Sequence, residues 1–183
     1  MNEIEVKARV TNPGLLFARL GSLGIKLSEP TYQHDLIFSP KDLEEITIFK
    51  PDTNFLRIRK ENNQAVLALK RSGVNELAVQ TEETAVVDPD ALTRILEALE
   101  YKLSVEVKKQ RQKADYHGIE ICVDEVEDLG TFIELEELSV TDNNPEETQN
   151  KLFKFLQRLG VTEADRVTQG YDTLVALKFG VRR

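Results

Sequence analysis

Two glutamates and a lysine alternate with apolar residues at the start of the chain, at Glu3, Glu5 and Lys7. Successive side chains of a β-strand leave opposite faces, so these three groups would share one face of a first strand. Carboxylate oxygens are the ligands that a divalent cation prefers, and a lysine beside the metal can meet an anion. A solvated surface strand shows the same alternation. This segment alone therefore leaves a metal and anion site and a plain polar face both open.

Charged residues alternate with aliphatic ones in several later segments as well. Basic residues two positions apart occur at Arg57 and Arg59 and at Lys109 and Arg111, and Lys70 follows an aliphatic run. Acidic residues alternate with aliphatic ones farther along, at Asp124, Glu134 and Glu136. Basic groups alone indicate phosphate, and carboxylates alone indicate a metal. Together they predict a polyphosphate that is bound with Mg²⁺ or Mn²⁺.

Four segments have the apolar periodicity or the end signals of helices. They lie at residues 13–24, from 88–90 to 99, from 144–146 to 160, and at 171–177. Strand-like runs lie between them, at residues 31–38, 54–61, 65–71, 76–87, 102–115, 119–126 and 131–138. Asn62-Asn63 and His117-Gly118 are typical of hairpin turns. This order predicts an α+β fold dominated by antiparallel sheet, with halves at 1–88 and 89–183 and a mobile loop at 39–52.

The charged face of such a sheet has two environments open to it. The amphipathic helices can cover the apolar face. In an open sheet the charged face then meets bulk water, whereas in a closed barrel with helices outside it lines the interior. Dry burial of so many charges costs more than their pairing returns, so such an interior must be wet and shaped for a ligand.

Composition narrows the class of protein. A chain of 183 residues suits one domain, 1–183, that needs no disulfide or metal to hold its core. The net charge of −8 argues against nonspecific nucleic-acid binding. Cys122 is the only cysteine, which excludes a disulfide framework and a thiolate zinc site. No long apolar run and no signal-peptide pattern is present, so we expect a cytoplasmic protein without a membrane span.

The same residues resemble the signature segments of the CYTH superfamily, the triphosphate tunnel metalloenzymes. Glu3-x-Glu5-x-Lys7 resembles its ExExK start, and residues 124–136 resemble its D-x-V-x-x-L-G-x-F-x-E-x-E segment. Shorter matches follow in chain order at Asp35, Leu56-Arg57-Ile58-Arg59, Leu67-Ala68-Leu69-Lys70, Lys109-Gln110-Arg111 and Tyr171-Asp172-Thr173-Leu174. The resemblance spans nearly the whole chain and looks closest to the class IV adenylyl cyclases.

The resemblance implies a fold and a set of site residues. The fold is a closed eight-stranded antiparallel β-barrel, the triphosphate tunnel, with helices packed outside. The implied metal ligands are Glu3, Glu5, Glu134, Glu136 and Asp124. The implied triphosphate ligands are Lys7, Arg57, Arg59, Lys70, Lys109 and Arg111. Catalysis is implied at Glu3, Glu5, Lys7 and Glu134. A plainer role is open for some of them, since Asp124 can orient Lys109 or Arg111, and Arg59 or Glu136 can form a rim salt bridge.

The resemblance also implies a reaction class. A class IV cyclase converts ATP to cyclic AMP and pyrophosphate with Mg²⁺ or Mn²⁺. The alternative is a hydrolase of the terminal phosphate, acting on thiamine triphosphate or on tripolyphosphate. A module that binds nucleotide or polyphosphate without turnover is the third candidate. Members of the superfamily are often dimeric, so a homodimer is an expectation to be tested.

Three positions depart from the superfamily pattern. The fifth strand carries Gln80-Thr81-Glu82-Glu83 where an Arg-x-Glu pair is common, so the glutamate that faces the tunnel is left open. Ser39 stands where an acidic or amide residue is common, and Gly170 stands where a serine is usual. The resemblance therefore implies one cation and one hydroxyl fewer than the pattern supplies.

Overall fold

A computed structural model describes residues 2–41, 54–86, 88–139 and 144–180, with the backbone alone at 2, 72–74, 78–86 and 139. The strands are β1 Asn2–Arg9, β2 Thr31–Pro40, β3 Asn54–Glu61, β4 Gln64–Asn75, β5 Ala78–Val86, β6 Tyr101–Tyr116, β7 Ile119–Val126, β8 Gly130–Ser139 and β9 Arg166–Val167. The helices are α1 Pro13–Ser22, α2 Pro89–Ala98, α3 Pro145–Arg158 and α4 Tyr171–Phe179, with a 3₁₀ turn at Glu163–Asp165. Every described strand register is antiparallel. The predicted α+β class is confirmed.

The chain divides into two compact units, each made of two separate stretches. The first unit comprises Met1–Thr31 and Lys109–Thr168, and the second comprises Tyr32–Lys108 and Gln169–Arg183. The expected halves at 1–88 and 89–183 are therefore wrong, because β1 pairs with β8 from the far part of the chain.

The first unit has a sheet with one apolar face. Its strands follow the order β6-β7-β8-β1-β9, with residues 109–116 of β6 belonging to this unit. Alternate residues of the central strands enter one core with α1 and α3, and this core includes Val6, Ala8, Ile121, Val123, Ile133, Leu135, Leu20, Leu152 and Leu156. Because side chains alternate along a strand, the other residues of β1, β7 and β8 belong to the opposite face.

The second unit repeats this design. Its strands follow the order β5-β4-β3-β2-β6, with residues 101–108 of β6 belonging to this unit. Leu36 and Phe38 of β2 and Ile58 of β3 pack with Leu96 of α2 in a second core. Asp35 is opposite Arg59 in the β2–β3 register, which assigns both residues to the face away from that core.

The helix starts and the hairpin turns follow from local sequence. Three helices begin with proline after a capping Asn or Asp, at Asn12-Pro13, Asp88-Pro89 and Asn144-Pro145. Each capping side chain accepts a hydrogen bond from a backbone N–H of the first turn, as at Asn12 Oδ1 from Leu15 N at 3.0 Å. The turns at Asn62-Asn63 and His117-Gly118 have positive φ at both residues. Paired positive φ values are typical of a type I′ hairpin turn, so both predicted turns are confirmed.

Three further expectations concern the closure of the sheet, the number of domains and the loop at 39–52. Closure of the sheet into a barrel and the single domain over 1–183 stay predictions. The expected loop at 39–52 is wrong at Ser39 and Pro40, which belong to β2, and its residues 42–52 lie outside the described ones. Within the described ranges, no helix combines the length and the apolar character needed to cross a membrane.

Candidate metal and phosphate site

The sheet of the first unit brings charged residues from four strands to one face. Lys7 of β1 is opposite Glu134 of β8, and Glu134 is opposite Cys122 of β7. Arg111 of β6 is opposite Asp124 of β7. We call the following set the charged face: Glu5, Lys7, Lys109, Arg111, Asp124 and Glu134. The alternation that positions the apolar core of this unit also positions these six side chains.

Lys7 lies between two carboxylates. Its Nζ is 3.1 Å from Glu5 Oε1 and 3.0 Å from Glu134 Oε1. The side chains of Lys7 and Glu134 are 2% and 7% exposed, whereas that of Glu5 is 22% exposed. Two predicted metal ligands and one predicted phosphate ligand are therefore in direct contact.

Asp124 holds two of the predicted phosphate ligands. Arg111 donates from Nε to Asp124 Oδ1 at 2.7 Å and from a terminal nitrogen to Asp124 Oδ2. Lys109 Nζ also donates to Asp124 Oδ2, at 3.2 Å. The same guanidinium donates to Glu134 Oε2. Asp124 has no exposed surface, and both of its oxygens accept hydrogen bonds from cations. These contacts favour the interpretation of Asp124 as a residue that orients Lys109 and Arg111.

Burial and neighbouring charges shift the protonation equilibria of the charged face. Burial, reinforced by the Glu134 carboxylate, raises the pKa of Glu5 from 4.5 to about 8, although Lys7 acts to lower it. Burial also acts to raise the pKa of Glu134, but Lys7, Arg111 and Lys109 outweigh it and hold that pKa well below its ordinary value. Burial acts to lower the pKa of Lys7, but the two glutamates outweigh burial and raise that pKa above its ordinary value. The glutamate pair thus holds a proton near neutral pH, and Lys7 stays charged.

The donor set fits a magnesium ion that is shared with a substrate. Among the described residues, no three His, Cys, Asp or Glu side chains form a protein-only metal cage. Mg²⁺ commonly binds one or two carboxylates and completes its shell with water and substrate phosphate. Glu5 and Glu134 supply two such carboxylates, and Glu5 Oε1 is buried without a well-formed hydrogen bond. Glu136 is opposite Glu5 and Glu3 is two residues from it, which assigns both to the same face as further candidates.

The remaining predicted phosphate ligands belong to the second unit. Arg59 forms a two-pronged ion pair with Asp35, with Nε to Oδ1 and a terminal nitrogen to Oδ2 both at 2.7 Å. Lys70 is opposite Phe55 in the β3–β4 register, so it shares a sheet face with Arg57 and Arg59. These three basic side chains are half-buried. The second unit thus brings its own predicted site residues onto one face.

Two of the three departures from the superfamily pattern have a structural account. Ser39 Oγ is 2.5 Å from Ser104 Oγ, and both residues are buried, so a small hydroxyl replaces the larger polar side chain there. A Cβ on Gly170 would lie 2.3 Å from Asp172 Oδ1, so glycine leaves room for the Asp172 carboxylate. The Gly170 N–H donates to Glu76 Oε2 at 2.8 Å. The third departure concerns the side chains of Gln80 to Glu83, which lie outside the described ones.

Sequence reasoning missed the orientation of Cys122. Its aliphatic neighbours Ile121 and Val123 are typical of a buried strand, and Cys122 is only 1% exposed. Its position opposite Glu134, however, assigns it to the polar face of the sheet, and its Sγ is 3.5 Å from Glu120 Oε1. Burial and the nearby Glu134 raise the pKa of the thiol strongly, against Arg111. The two-residue spacing from Asp124 was the available signal for this orientation.

Known proteins resemble this chain along most of its length. The family model described as CYTH domain matches residues 1–171. A Methanocaldococcus jannaschii protein named "Putative adenylate cyclase MJ0240" is 26% identical over 180 residues, which cover 97% of this chain and all of that protein. The structure of the PH1819 protein of Pyrococcus horikoshii OT3 is 26% identical with a TM-score of 0.79, over 96% of this chain and 99% of that one. Hippeastrum HpAC1, a "putative adenylyl cyclase" described as having a dominant triphosphatase activity, is 21% identical with a TM-score of 0.63, over 98% and 96%.

Proposed function

The chain belongs to the CYTH domain family, and from that premise we propose that it is a divalent-metal-dependent enzyme that acts on a nucleoside or organic triphosphate. The first candidate reaction is that of a class IV adenylyl cyclase, the conversion of ATP to cyclic AMP and pyrophosphate. The Methanocaldococcus jannaschii relative supports this choice, because its adenylate cyclase name applies to a protein that aligns along its whole length.

The observation that carries the proposal is the contact between carboxylates and cations on the buried charged face. Lys7 touches both Glu5 and Glu134, and Arg111 touches Glu134. Binding an anion alone does not call for buried carboxylates, and binding a metal alone does not call for buried cations. A metal and a polyphosphate together use both kinds of group.

Each group has a proposed role. Glu5 and Glu134 would hold Mg²⁺ or Mn²⁺, while Lys7, Lys109 and Arg111 contact the phosphate oxygens. A bound divalent cation would neutralise phosphate charge and lower the pKa of the attacking hydroxyl or water. Asp124 holds Lys109 and Arg111 in place through its hydrogen bonds. The predicted tunnel, the ligands of the second unit, the homodimer and the cytoplasmic location belong to the same proposal.

Hydrolysis of the terminal phosphate is the second candidate. The described charged face supplies ligands for metal and phosphate. Such ligands can position a phosphate for attack by water as well as by a ribose hydroxyl. The triphosphatase activity of Hippeastrum HpAC1 is a property of that protein, and the likeness at 21% identity supports the fold alone.

A product assay decides between the reactions. The protein is incubated with ATP, thiamine triphosphate or tripolyphosphate, each with Mg²⁺, with Mn²⁺ and with EDTA, and the products are separated. Cyclic AMP with pyrophosphate identifies a cyclase, and orthophosphate identifies a hydrolase. Metal-dependent binding without turnover of any of the three would contradict the enzyme proposal and support the non-catalytic module.

Glu5→Gln tests the metal role of the carboxylate in the same assay. We expect kcat to fall about 100-fold or more, because a catalytic metal supplies several kcal/mol of transition-state stabilisation. Glu137→Gln is the matched control on β8, since Glu137 pairs with the exposed Lys151 instead. Full activity of Glu5→Gln would exclude Glu5 as a metal ligand.

Lys70→Ala tests the phosphate role of the second unit. We expect mainly a rise in KM of about 10-fold, which corresponds to one charge-assisted hydrogen bond. A change confined to kcat would contradict a role in triphosphate binding.

A further inference from the structure

The ammonium group of Lys7 uses the oxygens that the proposed metal needs. It lies 3.1 Å from Glu5 Oε1 and 3.0 Å from Glu134 Oε1, and its side chain is 2% exposed. A divalent cation that binds these two oxygens places a second positive charge beside the Lys7 ammonium group, and the two cations repel each other. Lys7 and the metal are therefore competitors for one position, although both are needed for a metal–triphosphate complex.

Arg111 is held differently. Its guanidinium also contacts Glu134, but it is fixed by two hydrogen bonds to Asp124, which has no exposed surface. Lysine carries a compact charge on a flexible four-carbon chain, so its ammonium can change partners without a change in the backbone. Of these two cations, Lys7 is the one suited to move.

We propose that Lys7 is an exchangeable counter-ion of the metal position. In the metal-free protein it occupies Glu5 and Glu134. When a divalent cation takes these carboxylates, Lys7 transfers to a phosphate oxygen of the substrate. This inference rests on the proposed metal–triphosphate site and adds to it a coupling, in which metal alone binds weakly and metal and triphosphate each promote binding of the other.

The expected size of the coupling follows from measured cases of linked binding. Linked binding events change each other's affinity by about 5- to 150-fold, and the effect is reciprocal. Removing the charge of Lys7 relieves the competition but also removes a phosphate ligand. One substitution should therefore change two affinities in opposite directions.

The decisive measurement is the affinity for Mn²⁺ in the absence of triphosphate, followed by the electron paramagnetic resonance signal of the free ion. We expect Lys7→Gln to bind Mn²⁺ about 10-fold more tightly than the wild type. Lys7→Arg retains the charge and should bind Mn²⁺ no more tightly than the wild type. Lys113→Gln is the matched control, because Lys113 pairs with Glu120 and is 43% exposed.

The second titration adds tripolyphosphate together with Mn²⁺ to the same variants. We expect Lys7→Gln to bind this pair more weakly than the wild type, since a phosphate ligand is lost. Chelation of Mn²⁺ by free tripolyphosphate is the same for every variant and does not affect the comparison. The exchange is supported if Lys7→Gln binds Mn²⁺ alone more tightly than the wild type and binds Mn²⁺ with tripolyphosphate more weakly. It is overturned if Lys7→Gln binds Mn²⁺ alone as weakly as the wild type, or more weakly.

If Lys7→Gln is not stable enough for titration, its melting temperature, Tm, provides the test. Lys7→Gln leaves the Glu5–Glu134 pair without this cation, so saturating Mn²⁺ should raise its Tm more than it raises that of the wild type. An equal or smaller rise would contradict the exchange. Failure of all three substrates in the product assay, with these Mn²⁺ results as expected, would refute the enzyme proposal and leave the exchange standing.

Discussion

The two units use polar sheet faces of opposite character. In the first unit, Asp124 and Lys7 contact their partners almost without exposed surface, at 0% and 2%, and only Glu5 of the described pairs on the charged face reaches 22%. In the second unit, Arg57, Arg59 and Lys70 are half-buried, and Asp35 pairs with Arg59, which is 18% exposed. Burying a charge is costly unless it is paired, whereas a partly exposed cation remains hydrated. The first unit therefore depends on charge pairing for its stability more than the second does.

The largest difference should appear when one carboxylate is neutralised in each unit. Asp124→Asn leaves Arg111 and Lys109 buried without their shared partner, and we expect a loss of about 3–5 kcal/mol in the free energy of unfolding. Asp35→Asn weakens a pair whose Arg59 reaches solvent, so we expect a loss of about 1–3 kcal/mol. Urea denaturation in EDTA measures both.

Equal losses for the two variants would contradict the contrast between the units. The comparison is valid where the dependence of the free energy on urea is unchanged, because a changed slope indicates a changed unfolded or native state.

The pH dependence of the free energy of unfolding should also distinguish the first unit from the second, because Glu5 of the first unit titrates near neutral pH. The raised pKa means that the folded protein holds a proton between about pH 4.5 and about pH 8 that the unfolded chain has lost. The free energy of unfolding of the metal-free wild type should therefore fall as pH rises through this window. Glu5→Gln cannot titrate, so its curve should be flatter. The lowered pKa of Glu134 acts below pH 4.5 and with the opposite sign.

Denaturation in EDTA at about pH 5.5 and about pH 8.5 brackets that window. Asp35→Asn is the control from the second unit and should retain the slope of the wild type. Parallel slopes for Glu5→Gln and the wild type would show that Glu5 does not hold the proton.

Local patterns predicted the elements and the charged face because their causes lie in adjacent residues. The alternation of Glu3 to Lys7 determined which side chains of β1 share a face, and the Asn62-Asn63 pair determined a turn with positive φ at both residues. Proline after a capping residue fixed the start of three helices. The resemblance to the family then supplied the roles of residues that lie far apart in the chain.

Long-range partners could not be predicted in the same way. The division into two discontinuous units depends on β1 pairing with β8, and no local pattern specifies that partner. Asp124 was open to two interpretations, because the position of its side chain depends on a register with β6 that only the fold determines. The contact of Ser39 with Ser104 joins residues 65 positions apart.

The smallest predicted effect comes from a lysine in the same row of the first unit as Lys7. Lys113, Cys122, Glu134 and Lys7 are successive partners across four strands, so a lysine occupies the first and the last of these four positions. Lys113 Nζ is 2.8 Å from Glu120 Oε1, a shorter distance than either contact of Lys7, but both side chains are more than 40% exposed. For Lys113→Gln we expect a loss of only about 0–1 kcal/mol, and one that shrinks as salt is added. For Lys7→Gln in EDTA we expect about 3–5 kcal/mol with little dependence on salt. A loss for Lys113→Gln as large as that for Lys7→Gln would mean that distance, and not burial, decides the strength of these pairs.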